Sequence, residues 1–495
     1  MKGWIGPALL GLGLLAAPTG ALAQAASKPN IVFIMADDLG FADVGYRGSP
    51  IKTPNIDKLA TEGVRMDTFY GAAVCTPARA ELMTGRYPMR YGLQTLVIFP
   101  SHTYGLATDE RTLPQALHDA GYATLMDGKW HLGHADRKYW PQNRGFDYFY
   151  GNVVGEVDYF THARGGVIDW QRNGKFLNEP GYYMDLIGND TVKLIDQQDG
   201  KKPFFLYFAS LAPHAPYQVT RKYRDLYPSV TSRNQQAYMG MISSLDDQVG
   251  RIVAELEKKH LRDNTIILFA SDNGGATSGL FASGPESGSA GHAAPEGALQ
   301  QGEKAPASNT PLSGGKGSLR EGGVRVPAFV NWPGHLQPRS VTAPLSMVDI
   351  MPTLLALAGG HGDPAHPFDG KDIWPTLSEG APSPHDDILI NVEAIRGAIR
   401  KGDWKLIKVA LMPGKTELYD LAKDPGETTN VADQNPDVAH DLEARLLAYA
   451  KEMKPSLWIK AQLNFLGAQN KTILDPDYDI DDGGLPQEKT VLPRN

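Results

Sequence analysis

The sequence has almost no cysteine. Cys75 is the only one among 495 residues, so no disulfide can form within the chain. A lone cysteine is either an inert buried residue or a reactive group, and composition leaves both readings open. The stretch around it, AAVCTPARAELMTGRYP at residues 72–88, therefore has to be interpreted from its neighbours.

The chain also lacks an excess of positive charge. It carries 48 Lys and Arg against 56 Asp and Glu, a formal net charge of −8. Binding to nucleic acid needs a basic surface, so we expect no nucleic-acid partner. Any anionic ligand has to be bound by a local group of cations.

Long apolar runs are absent too. A membrane anchor needs about 18 or more continuous apolar residues, whereas the run at residues 8–17 is short and bounded by prolines. Ala21 and Ala23 then form the small-x-small pattern of a signal-peptidase site. We therefore predict that residues 1–23 are a removed signal rather than an anchor. The mature chain is expected to be exported, to the periplasm or the medium, without a membrane span.

A single free thiol is unusual in an exported protein. Secreted proteins normally carry cysteines in disulfide pairs, because their compartment is oxidising. A free reactive thiol would be a liability there. We therefore expect Cys75 to be either sequestered or chemically changed.

Three apolar runs end abruptly in polar residues. NIVFIMADD ends in Asp37 and Asp38, FFLYFASLAPHAP runs into His214, and TIILFASDNGG ends in Asp272 and Asn273. Continuous apolar runs are typical of parallel strands that helices cover on both faces. The carboxyl ends of such strands form the ligand crevice, so these side chains are expected at one edge of the sheet.

The rest of the chain predicts an α/β fold with a large, mixed, mostly parallel sheet between helices. Apolar spacings of three and four indicate an amphipathic helix at residues 232–260. Residues 274–315 are rich in Gly, Ala, Ser and Pro and are expected to form a long flexible surface loop beside the site. We predict a catalytic domain at residues 24–380 and a small α+β domain at residues 381–495, with a helix at residues 436–453.

A helix is predicted to start beside Cys75. Thr76 is a good N-cap, Pro77 suits the first turn, and Gly85 is a stop signal. Free N–H groups and the helix dipole favour negative charge at such an end. Arg79, one turn later, can support the site from beneath.

Oxygen donors at two strand ends suggest a cation site. Asp37, Asp38, Asp272 and Asn273 suit a hard divalent ion, and flexible carboxylates suit Ca²⁺ better than Mg²⁺. Read alone, an Asp-Asp pair is more often a turn or a cap. The matching pair at the second strand end favours the metal.

Two lysines and two histidines complete the candidate site. Lys129 and His131 are two apart in DGKWHLG, so an extended segment would point both to the same side. Lys316 lies in the glycine-rich GGKGSLREGG, where an ammonium can approach a ligand closely. His214, between two prolines in APHAP, fits a fixed general acid. Each of these residues, taken singly, is more often a surface or structural residue.

Taken together, CTPAR followed by LMTGR resembles the signature of the formylglycine-dependent (type I) sulfatases. The other motifs follow in that family's order. GKWHLG, RGFDYFYG, GEVDYFTH and FDGKDIWPTLSEGAPSP look most similar to the arylsulfatase B, or N-acetylgalactosamine-4-sulfatase, branch. Ala78 departs from the Ser often found before the motif arginine, and the long loop at residues 274–315 puts the identity of the substrate in doubt.

The resemblance implies an alkaline-phosphatase-like fold and sulfate ester hydrolysis on aryl or carbohydrate substrates. It implies that a formylglycine-generating enzyme converts Cys75 to 3-oxoalanine, which becomes both the nucleophile and a ligand of one Ca²⁺. The implied catalytic residues are Cys75, Arg79, Lys129, His131, His214 and Lys316. The implied metal ligands are Asp37, Asp38, Cys75, Asp272 and Asn273.

The family also implies a role for each group. The hydrated aldehyde attacks sulfur, His214 protonates the leaving oxygen, and His131 helps to deprotonate a second hydroxyl so that sulfate is expelled. Lys129 and Lys316 hold the sulfate oxygens. Two alternatives stay open: a phosphomonoester or phosphonate-ester hydrolase of the same superfamily, and an unmodified, non-catalytic glycan-binding protein.

Overall fold

The computed structural model describes residues 1–4, 28–278 and 304–469. Most of the predicted signal at residues 1–23 lies outside these ranges, as do residues 279–303 of the predicted loop.

The described residues form eighteen strands and eleven α-helices. The strands are β1 Asn30–Ala36, β2 Val64–Met66, β3 Phe69–Tyr70, β4 Ala123–Lys129, β5 Tyr148–Asn152, β6 Ala163–Arg164, β7 Val167–Ile168, β8 Gln171–Arg172, β9 Lys175–Phe176, β10 Phe204–Ala209, β11 Thr265–Ser271, β12 Ala328–Asn331, β13 Arg339–Val341, β14 Leu345–Ser346, β15 Ile388–Val392, β16 Arg396–Lys401, β17 Trp404–Val409 and β18 Lys415–Asp420. The helices are α1 Pro54–Thr61, α2 Cys75–Thr84, α3 Leu113–Asp119, α4 Tyr183–Asp196, α5 Arg221–Arg224, α6 Arg233–Lys258, α7 Glu321–Val324, α8 Ile350–Ala358, α9 Trp374–Glu379, α10 Pro436–Lys451 and α11 Leu457–Gln469.

Ten strands form one mixed sheet in the order β13-β2-β12-β11-β1-β10-β4-β5-β8-β9. The central strands β11, β1, β10, β4 and β5 run parallel to one another. β12, β8 and β9 pair antiparallel with their neighbours at the two sides. The predicted α/β class is therefore confirmed.

Helices cover both faces of this sheet, which is why its central strands are apolar throughout. On β1, Val32 and Ile34 belong to one core, together with residues of α4 and α6. Ile31, Phe33 and Met35 belong to the other core, together with residues of α2, α3 and α8. The sheet therefore holds its strand ends in a rigid frame.

The periodic helices lie where the sequence predicts them. α6 Arg233–Lys258 starts after Ser232, whose hydroxyl accepts a hydrogen bond from the Gln235 backbone N–H. Its buried face follows the predicted spacing, and α10 Pro436–Lys451 matches the predicted C-terminal helix. Both predictions are confirmed.

β15 to β18 form a separate four-stranded antiparallel sheet. α10 packs on it through Leu442 and Leu446, against Ile399, Leu406 and Leu418 among others. This is the predicted small α+β unit, although the boundary at residue 380 stays a prediction.

The described end of the predicted surface loop is packed against the rest of the protein. Ala305, Ala307 and Leu312 are buried. The Asn309 side chain accepts hydrogen bonds from the backbone N–H groups of Phe41 and Gly275. Four of the twelve residues at 304–315 are nevertheless exposed, so the flexible surface loop stays a prediction. In the described part of the chain, no helix has the length and apolar content needed to cross a bilayer.

Candidate active site

The site lies at the carboxyl edge of the central parallel strands. β1 is in register with β10 and β11, so the residues that follow all three strands emerge together. The Asp38 backbone N–H donates to Asp272 Oδ1 over 3.2 Å. His214 follows β10 and also reaches this edge, 3.6 Å from Asp38 Oδ2. The predicted convergence of the three polar ends is what the structure shows.

Six buried charges of balanced sign occupy this edge, and we call them the rim cluster. Its members are Asp37, Asp38, Asp272, Arg79, Lys129 and Lys316. Burial strengthens every charge interaction among them, because little water is present to screen it.

Each lysine of the rim cluster is paired with one of the two carboxylates that follow β1. Lys129, the last residue of β4, donates to Asp37 Oδ2 over 2.6 Å. Lys316 donates to Asp38 Oδ2 over 2.7 Å. Two ammonium groups on separate elements thus point at one small volume, as anion binding requires.

Arg79 lies beneath the two strand ends. Its guanidinium donates to Asp272 Oδ2 over 3.2 Å and lies 3.7 Å from Asp37 Oδ1. It also donates to the Lys129 carbonyl, which ties α2 to β4. Burial, followed by the charge of Asp37, raises the pKa of Asp272. The cations therefore do not fully offset the crowding of carboxylates.

Cys75 is the first residue of α2 and its sulfur faces the rim cluster. Sγ lies 3.4 Å from Asp37 Oδ1 and 4.0 Å from Asp38 Oδ1. Burial raises the pKa of the thiol well above its usual value, although Lys129 and Lys316 oppose the shift. The unmodified thiol is therefore protonated at neutral pH and is a poor nucleophile.

The helix start differs by two residues from the prediction. Val74, not Thr76, is the N-cap of α2, and Gly85 ends the helix in a left-handed conformation as expected. Thr76 Oγ1 instead donates to the His131 carbonyl and accepts from the Ile98 backbone N–H, both over 3.1 Å. The hydroxyl is used between distant segments and is not available to cap its own helix.

His131 does not share an extended segment with Lys129. Its φ is 61°, so the alternation expected for a strand fails, and Nε2 lies 3.1 Å from the Ile98 carbonyl. A Cβ at Gly155 would meet the imidazole at 2.5 Å, so only glycine admits the ring there. Nδ1 is buried and has no hydrogen-bond partner among the described residues. Burial, then Lys129 and Arg79, lowers the pKa of His131, which keeps the ring neutral.

His214 joins the rim cluster through Lys316. The Lys316 ammonium lies 3.0 Å from Nε2, while Nδ1 lies 2.5 Å from the Ala215 carbonyl. A donor at Nε2 and an acceptor at Nδ1 place the ring hydrogen on Nδ1. Burial, followed by the charge of Lys316, lowers the pKa of His214 to about 4. The ring is therefore neutral in the ligand-free protein.

Glu156 is a site residue that the sequence did not single out. Its carboxylate lies 3.8 Å from His214 Nδ1 and 3.2 Å from the Arg164 guanidinium. It stands in GEVDYFTH, a stretch we used only for the family resemblance. Its position beside the candidate acid comes from the fold, and no spacing in the sequence signals it.

The donor set fits a hard divalent cation. Ligand atoms of Asp37, Asp38, Cys75 and His214 lie within 4.8 Å of one another. Asn273 donates to Asp38 Oδ1 over 2.8 Å, while its own Oδ1 is buried and has no hydrogen-bond partner in the described ranges. An unpaired buried oxygen beside carboxylates is the ligand type that Ca²⁺ prefers.

This group differs from the predicted ligand set at three residues. It includes His214, which the prediction made an acid, and it leaves out Asp272 and Asn273. Asp272 has both oxygens engaged, by Arg79 and by the backbone N–H groups of Asp38 and Asn273. We favour the oxygen set for a hard cation, because His214 Nε2 already accepts from Lys316.

Sequence comparison identifies the family. The sulfatase family model matches residues 29–360, and that of the N-sulphoglucosamine sulphohydrolase C-terminal region matches residues 315–452. Arylsulfatase J of Mus musculus is 34% identical over 485 residues, covering 87% of this chain and 77% of the relative. Human N-acetylgalactosamine-6-sulfatase is 34% identical over 378 residues, covering 72% of this chain and 67% of the relative. The arylsulfatase B branch stays a prediction.

Solved structures agree with this result. Ps i-CgsB in complex with k-i-k-neocarrahexaose has a TM-score of 0.78 and 31% identity, covering 92% of this chain and 99% of that one. The phosphonate monoester hydrolase of Agrobacterium radiobacter has a TM-score of 0.60 at 22% identity, covering 86% and 96%, which shows a common fold alone. The chain belongs to the sulfatase family and is a sulfuric ester hydrolase.

Proposed function

We propose that this sulfatase acts through a formylglycine made from Cys75 and a Ca²⁺ held by the neighbouring oxygens, on sulfate esters outside the cytoplasm. The state of the Cys75 thiol is the observation that carries the proposal. The thiol is buried and protonated, yet it lies 3.4 Å from Asp37 Oδ1 and is exposed to the charges of Lys129 and Lys316. An aldehyde carbon at this position would turn an inert group into a source of nucleophilic oxygen.

Two groups that are not encoded supply part of this chemistry. Hydrated formylglycine supplies two hydroxyls on one carbon, one to attack sulfur and one whose deprotonation lets sulfate leave. A divalent cation supplies positive charge beside that oxygen. Asp37, Asp38 and Asn273 would hold it, with Asp272 fixing the second strand end.

The two lysines bind the sulfate group in this proposal. Each is paired with one of the two carboxylates that follow β1. Both ammonium groups are buried, so their attraction for an anion is weakly screened. The oxygens of a sulfate ester can therefore accept hydrogen bonds from the two ammonium groups, while the cation neutralises the carboxylates.

His131 and His214 handle protons on either side of sulfur. His131 is neutral, and its Nδ1, which has no hydrogen-bond partner among the described residues, can accept a proton from a hydroxyl at position 75. His214 must carry a proton on Nε2 to act as an acid. The negative charge of a bound ester raises the pKa of the imidazole from about 4. The Lys316 ammonium lies 3.0 Å from Nε2, so this contact has to break before Nε2 can carry its own proton.

We propose a sulfated carbohydrate as the substrate. The similar Ps i-CgsB structure contains a neocarrahexaose, and one relative is an N-acetylgalactosamine-6-sulfatase. A panel of sulfated carrageenan oligosaccharides, N-acetylgalactosamine 4- and 6-sulfate and a nitrophenyl sulfate would test this. Release of sulfate from the aryl ester alone would contradict a carbohydrate substrate.

Mass spectrometry tests the modification directly. In protein from the native host, the peptide containing residue 75 should be ~18 Da lighter than the cysteine form. The same measurement on protein made without a maturation enzyme is the control, and it should show the thiol and little turnover. An active preparation that contains only cysteine would refute the proposal.

The acid role of His214 is tested by leaving-group dependence. His214→Ala should lower the rate by about 10²–10⁴ with a sugar leaving group and by less with a nitrophenol, which needs no protonation. His118→Ala is a matched control, because that side chain is 53% exposed and lies beside Asp147, which is not a member of the rim cluster. Equal losses on both substrates would exclude the acid role.

A further inference from the structure

Lys316 stands on a glycine-rich turn whose position depends on contacts with other segments. The turn, residues 313–321, contains three glycines, and Gly314 and Gly317 have φ of 77° and 85°. Glycine-rich backbone loses much conformational freedom when it is ordered. The Lys316 ammonium nevertheless has to be held within hydrogen-bond distance of Asp38 and His214.

Glu427 ties both ends of this turn together. Its Oε2 accepts from the Ser313 hydroxyl over 2.9 Å and from the Glu321 backbone N–H over 2.7 Å. The Gly322 N–H donates to the Ser313 carbonyl over 2.7 Å and closes the same neck. One carboxylate oxygen, more than 100 residues away in sequence, therefore spans the base of the turn.

The other oxygen of Glu427 is anchored in the C-terminal sheet. Lys405 on β17 lies 2.9 Å from Glu427 Oε1 and 2.9 Å from Glu321 Oε1, and all three side chains are fully buried. The Lys405–Glu321 contact is a hydrogen bond, while the Lys405–Glu427 contact is a charge pair outside hydrogen-bond geometry. We call Lys405, Glu321 and Glu427 the C-terminal cluster.

The backbone at Glu427 is also constrained. Its φ is 54°, a left-handed conformation that costs a non-glycine residue free energy and persists only where surrounding contacts fix it. Arg320 donates to the Glu427 carbonyl over 2.9 Å, and the Glu427 N–H donates to the Asp424 carbonyl over 3.1 Å. This backbone conformation fixes the direction of the Glu427 side chain toward the turn.

We infer that Glu427 is a positioning residue for Lys316. Through Ser313 and Glu321, it lets the C-terminal sheet set where the Lys316 ammonium lies against the sulfate. The inference rests on the proposed function, in which Lys316 holds sulfate oxygens. Glu427 itself touches no reacting atom.

Glu427→Gln tests this with little change in volume. The variant should lower kcat/KM for a sulfate ester about 10- to 100-fold, because a misplaced ammonium loses its stabilisation of the transition state. Amide hydrogen exchange in a peptide covering the turn at residues 313–321 should become faster, with no change in a β1 peptide. Unchanged kcat/KM, or unchanged exchange in the turn, would overturn the inference.

A double-mutant cycle separates positioning from general damage. In a Lys316→Ala background, Glu427→Gln should change kcat/KM by no more than about twofold, since the group being positioned is gone. Full multiplication of the two losses would overturn the inference. If Lys316→Ala alone keeps full activity, the proposed role of Lys316 fails. Hydrogen exchange in the turn then still decides whether Glu427 holds it.

Two further variants keep the test sharp. Ser313→Ala removes one arm of the contact without touching Lys405, and should give a smaller loss, about two- to tenfold. It serves if Glu427→Gln does not fold. Glu443→Gln is the matched control, because that carboxylate on α10 pairs with Lys408 at the surface. Losses with Glu443→Gln equal to those with Glu427→Gln would overturn the inference.

Discussion

The rim cluster and the C-terminal cluster are both buried ionic groups, but they differ in the partners of their carboxylates. In the C-terminal cluster, the two glutamates contact Lys405, Arg325, two hydroxyls and a backbone N–H, although Glu427 Oε1 makes no hydrogen bond among the described residues. In the rim cluster, Asp37 and Asp38 pair with lysines and also lie close to Cys75 and His214, with ligand atoms of these four residues within 4.8 Å of one another. The first arrangement joins segments of the fold, and the second gathers groups that can bind a cation.

The pKa shifts show the same contrast. Burial opposes ionisation of Glu321, yet Lys405, Arg325 and Arg400 hold its pKa below the ordinary value. Asp272 shifts the other way, because burial and Asp37 outweigh its cations. A carboxyl pKa raised by burial and by a like charge is typical of functional sites. A buried carboxylate whose pKa is kept low by neighbouring cations is typical of a structural ion pair. Four predictions follow from this difference, from the largest expected effect to the smallest.

Cys75→Ala should separate activity from folding at the rim cluster. We expect turnover to fall by at least about 10⁴-fold, because no other side chain there can form the nucleophile. The free energy of unfolding should change by only about 1 kcal/mol, as for the loss of one small buried group. Sulfate release and urea unfolding measure the two. Activity that survives would make the thiol position dispensable.

Glu321→Gln, in contrast, should greatly reduce the stability of the protein. It leaves Lys405 with one buried partner fewer, which is expected to cost about 3–5 kcal/mol in unfolding free energy. Urea unfolding of the variant beside Glu443→Gln would measure it. A loss below 1 kcal/mol would mean that the C-terminal cluster is no more important to stability than a surface pair.

Cation and anion binding should reinforce each other at the rim cluster. A cation on the carboxylates frees Lys129 and Lys316, so inorganic sulfate should bind about 5- to 150-fold more tightly with Ca²⁺ than with chelator. Isothermal titration calorimetry measures this, and Lys129→Ala should reduce the coupling. Equal sulfate affinity in both conditions would argue that the lysines are not released.

Acid should remove the stabilising charge of Glu321 in the C-terminal cluster. A lowered carboxyl pKa contributes stability that is full above the unfolded value of 4.5 and is lost as pH falls through the folded value. The penalty of Glu321→Gln should therefore be constant from pH 7 to about 5 and should shrink below about 4.5. Unfolding curves across this range test the sign. A penalty that grows on acidification would contradict it.

The sequence predicted the parts that depend on local pattern. Apolar runs and helical spacing gave β1, β10, β11 and α6, because burial on known faces imposes those periods. The meeting of Asp37, Asp272 and His214 at one edge followed from parallel strand direction.

The parts that failed depend on distant partners. Thr76 is a good N-cap by type, but its hydroxyl is used by His131 and Ile98. Glu156 and Glu427 have no local signal, since their partners are brought to them by tertiary structure. Residue propensities predict local conformation, but they do not predict hydrogen-bond partners that distant segments supply.

The burial of α2 has a consequence for the order of folding and of the proposed modification of Cys75. All ten of its residues are inaccessible, Cys75 included. If Cys75 is modified as we propose, the modifying enzyme has to reach a side chain that the folded protein buries. The proposed modification would therefore have to precede the packing of α2, and a molecule that folds first would keep its thiol.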